Sequence, residues 1–395
     1  MRTIVIGGGP AGMMAAYVSK QNNSHVLLLE KNARLGKKLL MTGHGRCNVT
    51  NNCDIQAFMS HINTNAKFMY SPLHQFSSQD MLDFLEKNKI DTKEEDNHRM
   101  FPTSDSAYTI LELFESLLKG VIVRTNEEVL SLIIEEDVCK GVRTNKKTYY
   151  ADCIIVCTGG KSYPLTGSNG SGYNLVKDYH TIKEPKPALS SLVIQEEWLK
   201  KCMGTVLKNV EIRIKKKRFT GDVLLTHFGI SGPVVLNMSS LFDFKNTPIE
   251  VDLFPKMSEE ELNQKILDLF SKNSNKQIQT VLNTLLPSRF VEELLVHLKI
   301  EANTLVHQMK KDQRRKILHI LKHLTITILE TRGFKDAMVT KGGISVKEIN
   351  PNAMESKKIK NLKFAGEVID VDAQTGGYNL QIAWSTGYVA GKNQI

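Results

Sequence analysis

Arg2-Thr3-Ile4-Val5-Ile6-Gly7-Gly8-Gly9-Pro10-Ala11-Gly12 opens the chain, and its reading decides the fold. Three β-branched residues in a row, Ile4 to Ile6, form a short buried strand that runs directly into Gly7-x-Gly9-x-x-Gly12. An Ala-rich helical segment follows from Met13 to Gln21, and a second apolar run, Val26 to Leu29, ends on Glu30. Each part has a physical reason. Gly7 permits the tight turn, Gly9 lets backbone N–H groups approach a pyrophosphate, and Gly12 lets the helix lie against the sheet. Pro10 and Ala11 start a helix whose positive end faces the phosphates. Glu30, 18 positions beyond Gly12, falls where a carboxylate accepts hydrogen bonds from a ribose diol. Strand, glycine turn, helix, strand and acid together specify dinucleotide binding.

Working outward, Lys31 to Asn51 is glycine-rich and polar and carries Lys31, Lys38 and Arg46 around Gly43-His44-Gly45. Placed directly after the ribose acid, it suits the phosphates and the reactive end of a bound cofactor. Cys47 and Cys53 are separated by five residues and flank a Thr-Asn-Asn turn, so they are not expected to form a catalytic disulfide. Residues 54–118 carry helical 3–4 spacing. Alternation then marks a small antiparallel meander through Val121–Val123, Val129–Ile134, Val138–Val142 and Thr148–Tyr150. Ile154-Ile155-Val156-Cys157 returns to the parallel sheet and ends in Thr158-Gly159-Gly160, at the strand end where open α/β sheets bind ligands. Gly160-Lys161-Ser162 is no phosphate loop, because a Walker A glycine would have to stand at Ile155.

Beyond Pro185-Lys186-Pro187 the pattern becomes β again, with Thr226-His227-Phe228-Gly229 as a turn. From Ser258 to Leu324 it is helical, with a Ser258/Glu261 capping box, Pro287 between two helices and Asn303 as cap of the last. Leu362-Lys363-Phe364-Ala365-Gly366-Glu367 is another strand ending in glycine and acid, followed by Gly376-Gly377-Tyr378-Asn379-Leu380 and a small-residue helix. Glu367 is placed to hold a polyol hydroxyl, and the helix N-terminus aims N–H groups at an anionic ring edge. A ribityl chain needs that second acid; NAD has none, so FAD is the expected cofactor.

The organisation is nested: 1–187 and 341–395 form the cofactor domain, 188–255 and 324–340 a β domain, and 256–323 a helical insert. Lys and Arg number 52 against 42 Asp and Glu, giving a net charge of +10 and a pI of about 9.1. That balance favours anionic partners. The runs Lys215–Arg218 and Lys310–Lys316 lack interleaved aromatics and read as solvated faces, so nucleic acid is not the expected partner. Six scattered cysteines without CxxC fit a reducing compartment. The early glycine motif and the lack of an apolar run near 18 residues lead us to expect a cytoplasmic protein with no membrane contact.

These motifs resemble the glutathione-reductase-like FAD superfamily. Within it the chain is similar to the bacterial flavoproteins that include aminoacetone oxidases and BaiN-type bile-acid reductases. The similarity runs through Gly7–Gly12, Met41–Asn51, Cys157–Pro164, Leu225–Pro233, Val339–Ile344, Phe364–Asp370 and Thr375–Gln381. It implies an α/β fold: a Rossmann-like FAD domain with an inserted β-barrel-like domain that itself carries a helical insert. It also implies non-covalent FAD held by Gly7, Gly9, Pro10, Ala11, Gly12, Glu30, Lys31, Lys38, Gly43, Gly45, Arg46, Cys47, Val129, Thr158, Gly159, Gly160, Gly366, Glu367, Gly376, Gly377, Asn379 and Leu380. The implied activity is hydride transfer through flavin N5 between the cofactor and a small organic substrate, as an oxidase of small amines or as a reductase using transient NAD(P)H. A flavin-dependent RNA-modifying enzyme and a non-catalytic flavin-binding protein stay open beside it. His227, Lys341 and His44 are the candidate acid/base or orienting residues. His44 stands where the similar proteins carry glycine or serine. The oligomeric state is not readable.

Overall fold

A computed structural model describes residues 1–22 and 25–392. The chain divides into two compact units. Met1–Ala188 and the chain from Gly333 onward make the first, and Leu189–Arg332 makes the second.

The first unit is built on a seven-stranded sheet whose centre is parallel. Arg2–Ile6 lies between His25–Leu29 and Cys153–Val156, with Ile4 opposite Leu27 and Ile154. Ile122–Arg124 joins outside His25–Leu29, and Leu362–Phe364 outside Cys153–Val156. Ile4, Val5, Leu28, Ile154, Ile155, Val156 and Phe364 are all buried, as a sheet covered on both faces requires. Two helices pack closely on it. A Cβ at Gly387 would stand 2.4 Å from the Ala11 carbonyl oxygen, and one at Gly391 2.6 Å from that of Ala15. The small-residue character of the Tyr378–Lys392 helix therefore lets it approach the Pro10–Gln21 helix. Trp384, fully buried, stacks on Phe114 with centroids 5.0 Å apart.

Two expectations change here. Alternation groups Val121–Val123 with the meander, but the strand Ile122–Arg124 extends the parallel sheet; the meander is Val129–Glu135, Val138–Thr144 and Thr148–Tyr150. Thr92–Glu95 and Arg99–Pro102, inside the region read as helical, form a small sheet with Thr50–Asn51, which precedes it. The 92–95 strand is Thr-Lys-Glu-Glu, with no apolar alternation to reveal it.

The second unit is a closed six-stranded antiparallel barrel. Its order is Leu192–Ile194, Gly229–Ser231, Lys217–Leu225, Val206–Ile214, Thr247–Asp252 and Leu324–Thr331, returning to Leu192–Ile194. Ile212, Ile214, Val223, Ile249, Val251, Ile326 and Ile328 fill its core. Helices Glu259–Lys272, Ile278–Leu282, Ser288–His297 and Lys311–His323 form the insert. The Ser258/Glu261 capping box is present: the Glu261 N–H donates to Ser258 Oγ at 3.1 Å. Asn303 does not cap the last helix, which starts at Lys311 with Lys310 in the cap position. Residues 333–340, expected with the β domain, belong to the first unit. The strand Val339–Ile344 pairs with Ile182–Ala188, which holds that stretch to the sheet unit.

Candidate functional site

The parallel strands of the first unit end at a cleft, and the glycine turn forms one wall. Its three glycines do different work. Gly7 adopts φ +102°, and a Cβ there would come within 2.5 Å of the Cys157 carbonyl oxygen; at Gly12 it would meet the Gly7 carbonyl oxygen at 1.8 Å. Both are packing requirements. A Cβ at Gly9 would meet nothing within 4 Å, so this glycine borders open space at the start of a helix that has proline in its first turn and no side-chain cap. That is the cradle an anionic group needs.

Glu30 lies on the same wall, 8% exposed. Its Oε2 accepts from the Gly8 N–H at 2.8 Å. Its Oε1 accepts from the Asn32 backbone N–H at 2.7 Å and from the Asn32 amide at 2.6 Å. Three donors fix the carboxylate in one rotamer before any ligand arrives. Beside it Lys31 donates to Asn169 Oδ1 at 2.8 Å and Ser171 Oγ at 3.0 Å. Burial pulls its ammonium pKa down, while Glu128 and Glu30 oppose the shift.

The second acid is held differently. Glu367 Oε2 accepts from Lys38 Nζ at 2.6 Å, and its Oε1 accepts from Ser162 Oγ at 2.6 Å and the Thr340 N–H at 2.8 Å. Lys38 also donates to Ser162 Oγ at 2.7 Å. Opposite, Gly376 (φ +123°) and Gly377 (φ +95°) turn the chain into the C-terminal helix. The Asn379 side chain closes this turn, its Oδ1 accepting from the Ala373 N–H and its Nδ2 donating to the Ala373 and Gln374 carbonyls. Asn379 and Leu380 contribute the first helical turn to the cleft wall.

Fourteen of the residues expected at the cofactor line this cleft: Gly7, Gly9, Pro10, Ala11, Glu30, Lys31, Lys38, Val129, Thr158, Gly159, Gly366, Glu367, Asn379 and Leu380. Gly12, Gly43, Gly45, Arg46, Cys47, Gly160, Gly376 and Gly377 stand behind it. Arg46 is drawn away by a two-pronged pair with Glu95, at 2.6 and 3.1 Å, and by Asp105 at 3.3 Å, with its guanidinium 4.2 Å over Phe101. Cys47 is fully buried, and burial pushes its thiol pKa up to about 12. Cys53 reaches about 11 for the same reason, and both are free thiols. A Cβ at Gly160 would meet Thr340 Oγ1 at 2.3 Å, and one at Gly377 the Thr50 carbonyl at 2.4 Å, so these glycines serve packing.

Asn32, Thr42, Glu127, Ser168, Met338 and Val371 also line the cleft and were not anticipated. The Gly/Ser-rich run from Gly167 to Gly172 carried a signal for Ser168; Met338 and Val371 carried none.

The three acid/base candidates are not gathered in the cleft wall. His44 is exposed, in the left-handed region at φ +57°, between Gly43 at +57° and Gly45 at +87°. It sits two residues beyond Thr42, which does line the cleft. Lys341 lies on the strand paired with Ile182–Ala188, opposite Lys186. Its charge bears on Asp370 and Asp372, whose carboxyl pKa values burial raises. His227 belongs to the barrel unit, in an exposed turn, edge-on to Phe228 at 5.0 Å. Among the described residues no helix is long and apolar enough to cross a membrane, and no group of His, Cys, Asp and Glu is arranged to hold a metal.

Comparison with known proteins places this geometry. The chain is 31% identical over 404 residues to a 3-dehydro-bile acid delta(4,6)-reductase of Clostridium scindens, covering 98% of this chain and 97% of the relative. It is 29% identical over 396 residues to a ribosomal RNA dihydrouridine synthase of Haemophilus influenzae (98% and 96%), and 30% over 399 residues to one of Escherichia coli (99% and 97%). Among solved structures, an open conformation of a flavocytochrome c3 fumarate reductase matches with a TM-score of 0.55 at 14% identity, over 99% of this chain and 77% of that one. The 3-ketosteroid-delta4-(5alpha)-dehydrogenase of Rhodococcus jostii RHA1 matches with 0.51 at 14%, over 99% and 96%. The fold is thus a mixed α/β, Rossmann-type FAD-binding fold with a closed barrel inserted. The model of the HI0933-like protein Rossmann domain matches residues 1–393. Because that match takes in both units, the whole chain belongs to the HI0933-like family.

Proposed function

We propose that this protein is an FAD-dependent reductase that adds hydride to a carbon–carbon double bond conjugated with a carbonyl group. The cleft carries the reading. Its residues fit FAD: open space at Gly9 for the pyrophosphate, the immobilised Glu30 for the ribose diol, Glu367 for ribityl hydroxyls, and the first turn at Asn379 and Leu380 for the carbonyl edge of the ring. When bound, FAD supplies the hydride through N5 of its flavin. The chain's own groups bind and orient. The Pro10–Gln21 helix N-terminus counters phosphate charge, Lys38 holds Glu367 aligned through the 2.6 Å contact, and the C-terminal helix favours negative charge on the ring edge.

The names of the relatives support this bond type. A 3-dehydro bile acid with Δ4,6 unsaturation and a uracil ring each present a C=C conjugated with C=O. Saturating either places hydride on the β carbon and a proton on the α carbon. NADH or NADPH would dock transiently to reduce the flavin.

The test is anaerobic. NADH and NADPH are added separately while the flavin absorbance is followed, and a conjugated enone such as 2-cyclohexen-1-one is then added. Bleaching by a nicotinamide and recovery on the enone are expected. A flavin that ignores both nicotinamides but is bleached by aminoacetone, with peroxide formed in air, would make the protein an amine oxidase and end this reading.

A second reading concerns the molecule carrying that bond: a uridine of ribosomal RNA. It is favoured by the two dihydrouridine synthases among the relatives, both matched along nearly their whole length, and by the net charge of +10. Unmodified ribosomal RNA would then be converted, with loss of uridine absorbance.

A further inference from the structure

The basic run Lys215–Arg218 has no aromatic residue within it, but the barrel brings one to it. Val206–Ile214 and Lys217–Leu225 are joined by a two-residue turn, Lys215-Lys216, with Ile214 directly opposite Lys217. Such turns favour Asn or Gly because they need positive φ. Here Lys215 takes φ +53°, in the left-handed region. Lys215, Lys216 and Lys217 are exposed, and none has an acidic partner among the described residues. Arg218 stands 3.6 Å from Glu211 Oε1, an oxygen that Arg213 Nε already holds at 2.6 Å. The ammonium groups of Lys215 and Lys217 stand 5.8 and 5.6 Å from the centre of the half-buried Phe242 ring, and Phe219 meets that ring edge-on at 6.1 Å.

We infer that this hairpin and Phe242 form an RNA-docking surface, resting on the second reading above. Unpaired ammonium groups contact phosphates, and a ring set between them offers a face for an unstacked base. This pairing of cation and π-face fits a single-stranded loop of RNA better than an acidic protein or a lipid headgroup layer, neither of which supplies a planar base.

The experiment uses the full-length flavin-loaded protein and a fluorescein-labelled RNA stem-loop with a uridine-rich loop, followed by anisotropy across a salt series. Three proteins are compared: wild type, the triple variant K215A/K216A/K217A, and F242L, which keeps apolar bulk in the barrel but removes the π-face. The triple variant should bind at least ~10-fold more weakly at low salt, and its log Kd against log salt slope should be shallower by about 2, at ~0.7 per lost phosphate contact. F242L should bind about 10-fold more weakly with the slope unchanged, the signature of lost stacking. Wild-type protein that does not bind the RNA, or a triple variant with the wild-type slope, overturns the inference. So does wild-type binding to phosphatidylglycerol vesicles that the triple variant loses while RNA binding is kept. Flavin reduction by NADH or NADPH, measured on the same three proteins, should be equal in all. Its failure in the wild type would remove the nicotinamide-driven reductase reading and leave the RNA result standing by itself.

Discussion

Two glycines of one motif should fail in opposite ways. At Gly9 the backbone has φ −81° and ψ −174°, which any residue adopts, and a Cβ there meets nothing within 4 Å. Gly9→Ala should therefore leave the apoprotein as stable as wild type, or up to about 1 kcal/mol more stable through the reduced entropy of the unfolded chain. The methyl group would instead occupy the space offered to the pyrophosphate, at the helix N-terminus where its charge is best compensated. Losing close approach to two or three backbone donors, each worth ~1.5 kcal/mol to a charged group, should weaken FAD binding by at least 100-fold. Gly12→Ala is the reverse. Its Cβ would stand 1.8 Å from the Gly7 carbonyl oxygen and 3.3 Å from Cys157 Cβ, both fixed by the sheet. The helix must move off the strand, at a cost of about 3 kcal/mol, well beyond the ~1 kcal/mol that alanine contributes by helix propensity. Urea unfolding of the two apoproteins measures the first quantity, and flavin fluorescence on titrating FAD into them measures the second. Wild-type FAD affinity in Gly9→Ala, or a wild-type urea midpoint in Gly12→Ala, would refute the division of roles.

Other consequences follow from the same geometry. Glu367→Gln leaves Lys38 without its anion and turns an amide donor toward the Ser162 or Thr340 donors; apoprotein stability should fall by about 2 kcal/mol in thermal unfolding, and FAD affinity with it. His44→Gly relieves an exposed non-glycine residue in the left-handed region, so stability should rise by about 1 kcal/mol; a simultaneous drop in turnover would identify strain kept for function. Cys47 should resist iodoacetamide at neutral pH in the folded protein, as its thiol stays protonated, and mass spectrometry of the labelled peptides reads this directly. Burial lowers the His180 pKa from 6.5 to about 4. The folded state thus binds fewer protons than the unfolded one below pH 6.5. The stability held above that pH should be lost as pH falls from 6.5 to about 4, up to about 3 kcal/mol, and His180→Phe should flatten that part of the urea-midpoint profile.

How much of this was legible in the sequence depended on how far apart the cooperating residues lie. Glu30 was legible because strand, turn, helix and acid are local, and each constrains the next within thirty residues. The partners of Arg46 were not legible. Nothing within its own loop announces that Glu95 and Asp105, 49 and 59 positions later, will take its guanidinium. Ile122–Arg124 looked like part of a meander because alternation does not say which sheet a strand joins. The Lys215–Arg218 run reads as a solvated face and its lysines are exposed; that Phe242 stands beside them was not legible, because the ring comes from the segment leading into the neighbouring strand Thr247–Asp252. Helix starts with Ser–Glu boxes were readable at Ser258; the helix at Lys311, where the Gln313 amide oxygen accepts from the Lys310 N–H and no side chain caps the first turn, was not.

The cleft is lined entirely by residues of the sheet unit, and every hydrogen bond that fixes Glu30 and Glu367 arises within that unit. Cofactor affinity should then be insensitive to substitutions on the barrel, whose core of Ile212, Val223, Ile249 and Ile328 is filled by its own strands. Relatives matched along their full length carry names as different as a bile-acid reductase and a ribosomal RNA dihydrouridine synthase. A fold of two cores accommodates that divergence. The groups that shape the cleft, Gly9, Glu30, Lys38 and Glu367, all lie in the sheet unit, outside the barrel. On that argument, substitutions between 189 and 332 should leave FAD affinity and the flavin spectrum of this protein as they are, and titrating FAD into barrel variants with wild-type thermal midpoints checks it.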